Sequence, residues 1–247
     1  MIDIAPIYIG WDSREAVAFD VCAYSLWRRT TVPLMIMPLR ERDLRHMKIY
    51  WREHDPLAST EFTYTRFLTP WLARRAGFTD WALFCDGDFL WLRDVQLLWD
   101  LFDPKYAVMC VKHDHVPAEA VKMDGAAQTV YPRKNWSSLM AFNLAHPAVK
   151  ELTIDAVNTM TPAELHQFKW VPDDLIGALP ESWNWLEGHS TLKHPPDAIH
   201  FTRGGPWFQQ WQKVFGAKIW ETERAIMDAQ LKSRRPSVAG LPVMEAD

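Results

Sequence analysis

The sequence lacks long apolar runs, a cysteine framework and an excess of positive charge. No apolar run reaches the length of about 18 residues that a membrane-spanning helix needs. The 3 cysteines have apolar neighbours and no metal-ligand spacing, which predicts buried thiols in a reducing compartment. The net charge of −4 argues against nucleic acid as a partner. The first residues lack the basic region and apolar core of a signal peptide, so we expect a cytoplasmic protein.

What is present is the composition of a globular protein. The 247 residues are 48% hydrophobic and 23% charged, which suits one sizeable domain. We predict that a single domain covers residues 1–232 and that residues 233–247, which lack periodicity, form a mobile tail. The 14 tryptophans exceed the usual content. Most are expected in the core, and some could stack on sugar rings.

The chain alternates apolar runs with helical patterns. Asp12 precedes the first helical pattern and Glu15 follows three residues later, which is typical of a helix N-cap. The predicted strands are residues 4–9, 32–37, 81–85, 107–111, 138–142 and 198–202, and the other predicted helices are residues 61–76, 147–159 and 218–232. This order predicts an α/β fold with a mostly parallel, Rossmann-like central sheet flanked by helices.

The most informative motif is Asp86-Gly87-Asp88, directly after the predicted strand 81–85. Five apolar residues indicate a strand buried on both faces, and ligands bind at the carboxyl ends of such strands. Two carboxylates at that position can share a hard divalent cation that leaves coordination positions for phosphate oxygens. Gly87 would let the backbone turn sharply and approach a ligand. The motif therefore predicts a metal site for a diphosphate.

Two other interpretations of this motif remain open. Asp-Gly-Asp is also common in turns that hold no metal. A phosphatase of the haloacid-dehalogenase type likewise has a strand-end Asp-x-Asp, and there Asp86 would be the nucleophile. In those enzymes the motif normally opens the domain and precedes a hydroxyl residue or Val, whereas here it lies well inside the chain and Leu90 stands at that position.

Several segments, in order, resemble the family 8 nucleotide-sugar glycosyltransferases, which include glycogenin and bacterial lipopolysaccharide galactosyltransferases and have the GT-A fold. The resemblance covers roughly residues 4–210. The similar segments are residues 8–12 (YIGWD), 64–68 (YTRFL), 86–88 (DGD), 135–143 (NWSSLMAFN), 173–177 (DDLIG), 183–184 (WN) and 200–207 (HFTRGGPW).

The resemblance implies roles for individual residues. Asp86, Asp88 and His200 would be the metal ligands, with Mn²⁺ favoured over Mg²⁺. Asp173 and Asp174 would be the catalytic polar residues, although Pro172 replaces the first acid of the family's Asp-Gln-Asp. The implied contacts to the donor come from Ile9, Gly10, Asp12, Arg66, Asp86, Gly87, Asp88, Ser137, Ser138, Arg203, Gly205 and Trp207.

The chain departs from the family at its last motif. The family has a lysine before Pro-Trp that contacts the diphosphate, and Gly205 stands there instead. Arg203 could supply the missing charge, and backbone N–H groups of the neighbouring glycines could bind phosphate.

These observations together predict a metal-dependent glycosyltransferase. The resemblance implies transfer of a hexose or N-acetylhexosamine from a nucleoside diphosphate sugar, with UDP favoured, to a hydroxyl of a glycan, lipid or protein acceptor, with retention of configuration. The alternatives are a phosphohydrolase with Asp86 as nucleophile and a catalytically inactive sugar-binding protein.

Overall fold

The computed structural model describes residues 4–113, 133, 135–191 and 194–234. Residues 235–247, which make up most of the predicted tail, lie outside the described residues. The strands are β1 Ala5–Gly10, β2 Leu34–Leu39, β3 Trp81–Cys85, β4 Phe89–Trp91, β5 Val108–Cys110, β6 Leu139–Asn143, β7 Ile176–Ala178, β8 Trp185–Leu186 and β9 Ala198–His200. The helices are α1 Ala16–Arg29, α2 Glu41–His46, α3 Thr69–Arg75, α4 Val95–Trp99, α5 Ile154–Thr159, α6 Pro162–His166 and α7 Ala217–Arg234.

Six strands form the central sheet in the order β2-β1-β3-β6-β5-β7. β6 runs antiparallel to both of its neighbours, whereas the other neighbouring pairs are parallel. The carboxyl ends of β1, β3, β5 and β7 therefore meet at one edge of the sheet, as the mostly parallel prediction requires. A smaller sheet has the order β4-β9-β8 and follows β3 directly, since only residues 86–88 separate β3 from β4.

The central sheet is buried on both faces. All five residues of β3 are buried; Phe84 packs in one core layer, while Leu83 and Cys85 pack in the layer on the opposite face. α3, α5 and α6 contribute to the first layer, and α1 and α4 contribute to the second. A third apolar cluster joins α7 to α1 and β9 through Trp220, Val21 and Ile199.

The predicted strands and helices exist, with shifted boundaries. Strand 81–85 is confirmed at both ends, and each of the other predicted strands differs by one or two residues at one or both ends. The predicted helix 61–76 is instead a 3-10 turn, Thr65–Leu68, followed by α3, because Pro70 is accommodated only in the first turn of an α-helix. The predicted helix 147–159 is also divided, into a 3-10 segment, Pro147–Glu151, and α5, which the Thr153 side chain caps.

Asp12 caps the first helical segment as predicted, because its side chain accepts a hydrogen bond from the Arg14 N–H. The backbone N–H of Glu15 donates instead to the Asp12 carbonyl oxygen, so Glu15 does not complete a capping box there. Among the described residues, no helix combines the length and the apolar character that crossing a bilayer requires.

Candidate functional site

The two acids of the predicted motif lie in the short connection between the two sheets. The Asp86 N–H donates to the Ser138 carbonyl oxygen at 2.9 Å, which continues the pairing of β3 with β6. The Asp88 carbonyl oxygen accepts a hydrogen bond from the Phe201 N–H at 3.1 Å, beside the smaller sheet. These two hydrogen bonds fix the backbone of Asp86 and Asp88, so both side chains begin from defined positions at the carboxyl end of β3.

His200 faces these acids from β9. It is paired with Phe89 in the register of the smaller sheet, and the two rings stack with their centroids 4.6 Å apart. Its Nε2 lies 3.3 Å from Asp88 Oδ1 and 3.9 Å from Asp86 Oδ2. One ligand atom from each of these three residues lies within 4.8 Å of the others. The structure thus brings together side chains that are far apart in the sequence.

The three donors fit a divalent cation. Two carboxylate oxygens and one imidazole nitrogen suit Mn²⁺ or a similar ion, and the nitrogen disfavours an all-oxygen Ca²⁺ site. Both carboxylates are largely covered, with side chains 13% and 12% exposed, and His200 is almost completely buried. Negative charges brought together in such a place are costly unless a cation compensates them. The ligand roles of these residues stay predictions.

Arg66 supplies one positive charge beside the site. It is buried, and its Nη1 lies 2.8 Å from Asp86 Oδ1 and donates to the Ser137 carbonyl oxygen at 2.9 Å. The guanidinium also lies 5.1 Å from the ring centroid of Phe84. Arg66 therefore holds one acid of the motif in place, and its predicted contact with the donor stays a prediction.

The end of β1 brings a further acid to the site. Asp12 is buried and accepts hydrogen bonds from Arg14 and from the Glu61 N–H. Burial opposes ionisation, but these hydrogen bonds and the Arg14 charge keep the pKa of Asp12 below its usual value. The Asp12 carboxylate is thus ionised and fixed by these hydrogen bonds. Its contact with the nucleoside base stays a prediction.

The sequence predicts only a helix-capping role for Glu15, yet its buried carboxyl group lies near the charges of Asp88 and Asp12. Burial, followed by the charges of Asp88 and Asp12, raises its pKa to about 9, against smaller opposing effects of Arg14 and a hydrogen bond with Trp207. The Glu15 carboxyl group is therefore protonated at neutral pH. Its burial could not be read from the helical pattern, because it depends on tertiary packing.

Ser137 and Ser138 lie next to the acids, where the sugar pocket was predicted. Both are buried, and both use their side chains inside the protein. Ser137 Oγ lies 2.9 Å from His166 Nδ1, and Ser138 Oγ donates to the Asn135 carbonyl oxygen at 2.7 Å. Contacts of either residue with a donor sugar stay predictions.

Comparisons with known proteins identify the family and the fold of this chain. No model of a known protein family matches the chain. Protein CDI of Arabidopsis thaliana is 50% identical over 222 residues, which span 88% of this chain and 85% of that protein. The chain belongs to the family of Protein CDI. Its fold is shared with solved glycosyltransferases, at sequence identities too low to show more than the fold.

Three such structures illustrate the shared fold. The bifunctional glycosyltransferase WbbM has a TM-score of 0.64 at 16% identity, over 94% of this chain and 51% of that chain, so this chain spans about half of WbbM. The glycosyltransferase GlyE of Streptococcus pneumoniae has a TM-score of 0.57 at 12% identity, over 93% of this chain and 64% of that chain. The galactosyltransferase LgtC, solved with donor and acceptor sugar analogues, has a TM-score of 0.53 at 12% identity, over 90% and 95%. The CDI-family chain therefore has the predicted GT-A fold.

The structure does not bring Asp173 and Asp174 to the three-residue group in this CDI-family chain. Both are exposed and lie in the turn before β7, and they are not members of the Asp86, Asp88 and His200 group among the described residues. Asp173 pairs with Arg133 at 2.6 Å. The catalytic role of these two acids stays a prediction.

Arg203, the proposed replacement for the family lysine, is held by another residue. Its Nη2 donates to the buried Glu187 at 2.8 Å, and its guanidinium lies 5.0 Å from the Trp211 ring centroid. Gly205 leaves room for Trp207, since an added Cβ would lie 2.0 Å from that ring. Trp207 packs against Trp220, 5.4 Å between centroids, and contacts Glu15. Donor contacts of these three residues stay predictions.

Asn184 lies in a segment that resembles the family, with no role implied by that resemblance, and it contacts His200. It is completely buried, and its Oδ1 lies 2.9 Å from His200 Nδ1. The pair Trp183-Asn184 carries no spacing that points to a site. Only the pairing of β8 with β9 brings this asparagine to the histidine.

Proposed function

We propose that this CDI-family chain is a metal-dependent glycosyltransferase of the family 8 type, with one domain over residues 1–232. It transfers a hexose or N-acetylhexosamine from a nucleoside diphosphate sugar, with UDP as the nucleotide, to an acceptor hydroxyl with retention of configuration. The observation that carries this proposal is the convergence of Asp86, Asp88 and His200 at the carboxyl edge of the sheet. The GT-A fold supports it by analogy.

Each group of residues around the site has its own proposed role. Asp86, Asp88 and His200 would hold Mn²⁺ or Mg²⁺, which when bound supplies Lewis-acid stabilisation of the charge on the leaving diphosphate. Arg66 keeps Asp86 in place and adds fixed positive charge nearby. Asp12, Gly10 and Ile9 form the β1 end where the nucleoside is expected. Ser137 and Ser138 border the acids on the side proposed for the donor sugar.

A screen of nucleoside diphosphate sugars by thermal shift, with and without Mn²⁺, tests this proposal. A ligand of the native state raises the melting temperature by mass action, so a UDP-sugar is expected to do so only when Mn²⁺ is present. Release of UDP from the stabilising sugar then measures turnover. Failure of every nucleotide sugar to stabilise the protein with Mn²⁺ would contradict the proposal.

The same experiment separates the two alternatives. A sugar-binding protein without activity would be stabilised by a donor and release no UDP with any acceptor. A phosphohydrolase would show no stabilisation by nucleotide sugars and would form a beryllofluoride adduct on Asp86. The contact of Asp86 with Arg66 and the GT-A fold favour the transferase over the phosphohydrolase, and the release of UDP decides between the transferase and the inactive sugar-binding protein.

A further inference from the structure

A series of buried hydrogen bonds connects the Asn135 carbonyl oxygen to Nδ1 of His200, the ring nitrogen that faces away from Asp86 and Asp88. Ser138 Oγ donates to the Asn135 carbonyl oxygen at 2.7 Å, Asn184 Nδ2 donates to Ser138 Oγ at 2.9 Å, and Asn184 Oδ1 lies 2.9 Å from His200 Nδ1. The side chains of Ser138, Asn184 and His200 are all buried. Because these side chains are shielded from water, their hydrogen-bond donors and acceptors must pair with one another.

This series of hydrogen bonds has only one consistent arrangement of protons. A carbonyl oxygen cannot donate, so the 2.7 Å contact between Asn135 and Ser138 requires the Ser138 hydroxyl proton. Ser138 Oγ must then accept its second hydrogen bond, which turns the NH₂ group of Asn184 toward it. The amide oxygen of Asn184 consequently faces His200, and an oxygen can only accept. His200 Nδ1 must therefore carry a proton.

This arrangement decides what the other ring nitrogen presents. In the neutral imidazole only one nitrogen carries a proton, so Nε2 has a lone pair. Nε2 is the nitrogen that lies 3.3 Å from Asp88 and 3.9 Å from Asp86. Without a cation, a lone pair on Nε2 repels the carboxylates of Asp86 and Asp88. When a cation is bound, the same lone pair provides its third protein ligand.

We propose that Asn184 is a positioning residue that fixes His200 as the Nδ1–H tautomer and so prepares Nε2 as a cation ligand. Ser138 acts through Asn184, because its hydroxyl fixes the direction of the amide. The same residue accepts a hydrogen bond from the Asp86 N–H through its carbonyl oxygen, so Ser138 connects the histidine side of the site to the acid side. The cation part of this inference rests on the proposed function, whereas the tautomer part concerns the protein without metal.

Nitrogen NMR of the histidine rings measures the tautomer directly. Protein with ¹⁵N-labelled histidine, stripped of metal with EDTA, is compared at pH about 8. The signals of His200 are assigned by their loss in His200→Gln. We expect the Nδ1–H pattern in the wild type and in Asn184→Asp, which keeps an accepting oxygen, and a mixture of tautomers in Asn184→Ala. An Nε2–H pattern in the wild type would overturn the proposal.

Mn²⁺ binding, followed by electron paramagnetic resonance of the free ion, provides the second measurement. Loss of a hydrogen bond to a ligating histidine typically weakens metal binding by about 10- to 100-fold, which we expect for Asn184→Ala, with recovery in Asn184→Asp. Ser138→Ala should weaken binding less. Ser25→Ala is the matched control, because Ser25 is also buried and donates to a backbone carbonyl, that of Cys22, at 2.8 Å.

The outcomes separate this inference from the proposed function. Wild-type Mn²⁺ affinity and unchanged tautomer in a folded Asn184→Ala variant would overturn the role of Asn184. If Asn184→Ala does not fold, wild-type binding in Ser138→Ala together with a tautomer mixture in wild-type protein would overturn it. Absence of Mn²⁺ binding in the wild type would contradict the proposed function, while the NMR pattern would still decide whether Asn184 fixes the tautomer.

Discussion

The carbonyl oxygen of Gly10 occupies the space where a side chain of Gly87 would begin. A Cβ on Gly87 would lie 2.3 Å from that oxygen, well inside van der Waals contact. The described glycines with positive φ are Gly77, Gly188, Gly204 and Gly216, so Gly87 is not required for a left-handed turn. Glycine is needed here because the end of β1 touches the acid turn, and the predicted close approach of Gly87 to a ligand stays a prediction.

Gly87→Ala should destabilise the protein and disturb the proposed cation site together. Backbone atoms must move to admit the methyl group, and overpacking of this kind costs about 1–3 kcal/mol. Gly77→Ala is the matched control, because its φ of 92° is strained for alanine but nothing lies within 4 Å of the added Cβ. Both variants should lower the urea midpoint, and only Gly87→Ala should weaken Mn²⁺ binding. Equal Mn²⁺ binding in the two would contradict the role of the close approach.

Arg66→Met should destabilise the fold strongly. Removing the arginine leaves the Asp86 carboxylate without its buried partner, and loss of one member of such a pair costs about 3–5 kcal/mol. Arg42→Met removes the positive charge from an exposed pair with Asp43 and should change stability by less than about 1 kcal/mol. Urea unfolding measures both. A loss in Arg66→Met no larger than in Arg42→Met would show that Asp86 does not depend on this contact.

Glu15→Gln should change how stability depends on pH in the metal-free protein. The pKa of Glu15 is raised from 4.5 to about 9 on folding, so the folded state keeps a proton that the unfolded state releases. This contribution is complete below the unfolded pKa and is lost as the pH rises through the folded pKa, at up to about 1.4 kcal/mol per pH unit. Wild-type stability should therefore fall more steeply than that of Glu15→Gln between pH about 6 and 8.5. Parallel curves from urea unfolding would contradict the assignment.

Glu223→Ala should loosen α7 from α1. The buried carboxylate contacts Arg28 and Arg29, each at 2.7 Å, and links the two helices. Both arginines are partly exposed and can regain water, so we expect a loss of about 2 kcal/mol rather than the full penalty of a buried pair. Glu221→Ala, on the exposed side of α7, is the control and should lie within about 0.5 kcal/mol of the wild type. Equal unfolding free energies for the two variants would contradict the link.

Much of the fold could be predicted because burial leaves a periodic trace in the sequence. Strand 81–85 was predicted at both ends, since both of its faces are covered and its polar neighbours mark its limits. The division of the predicted helix 61–76 was harder to predict, because the 3-10 turn Thr65–Leu68 depends on packing as well as on Pro70. β4, β7 and β8 were not predicted; each has only two or three residues, and β5 and β9, which are equally short, were found only as parts of longer apolar runs.

The site was only partly predictable for a similar reason. Asp86 and Asp88 carry a local signal, whereas His200 and Arg66 were placed by resemblance and reach the acids through strand pairing and burial. Asn184 and Glu15 had no signal of their own, because their importance depends on which buried neighbour they contact. The resemblance also indicated Asp173 and Asp174, which are exposed, and their role stays a prediction.

The most direct test of the account is the binding of Mn²⁺ in the presence of UDP, measured by electron paramagnetic resonance for the wild type and Asp88→Asn. The substitution keeps the shape of the side chain but removes one charged ligand, so the fold should persist, as circular dichroism can verify. We expect the wild type to bind a single Mn²⁺ and Asp88→Asn to leave it free. Equal binding by both proteins, or free Mn²⁺ with the wild type, would contradict a cation site formed by Asp86, Asp88 and His200.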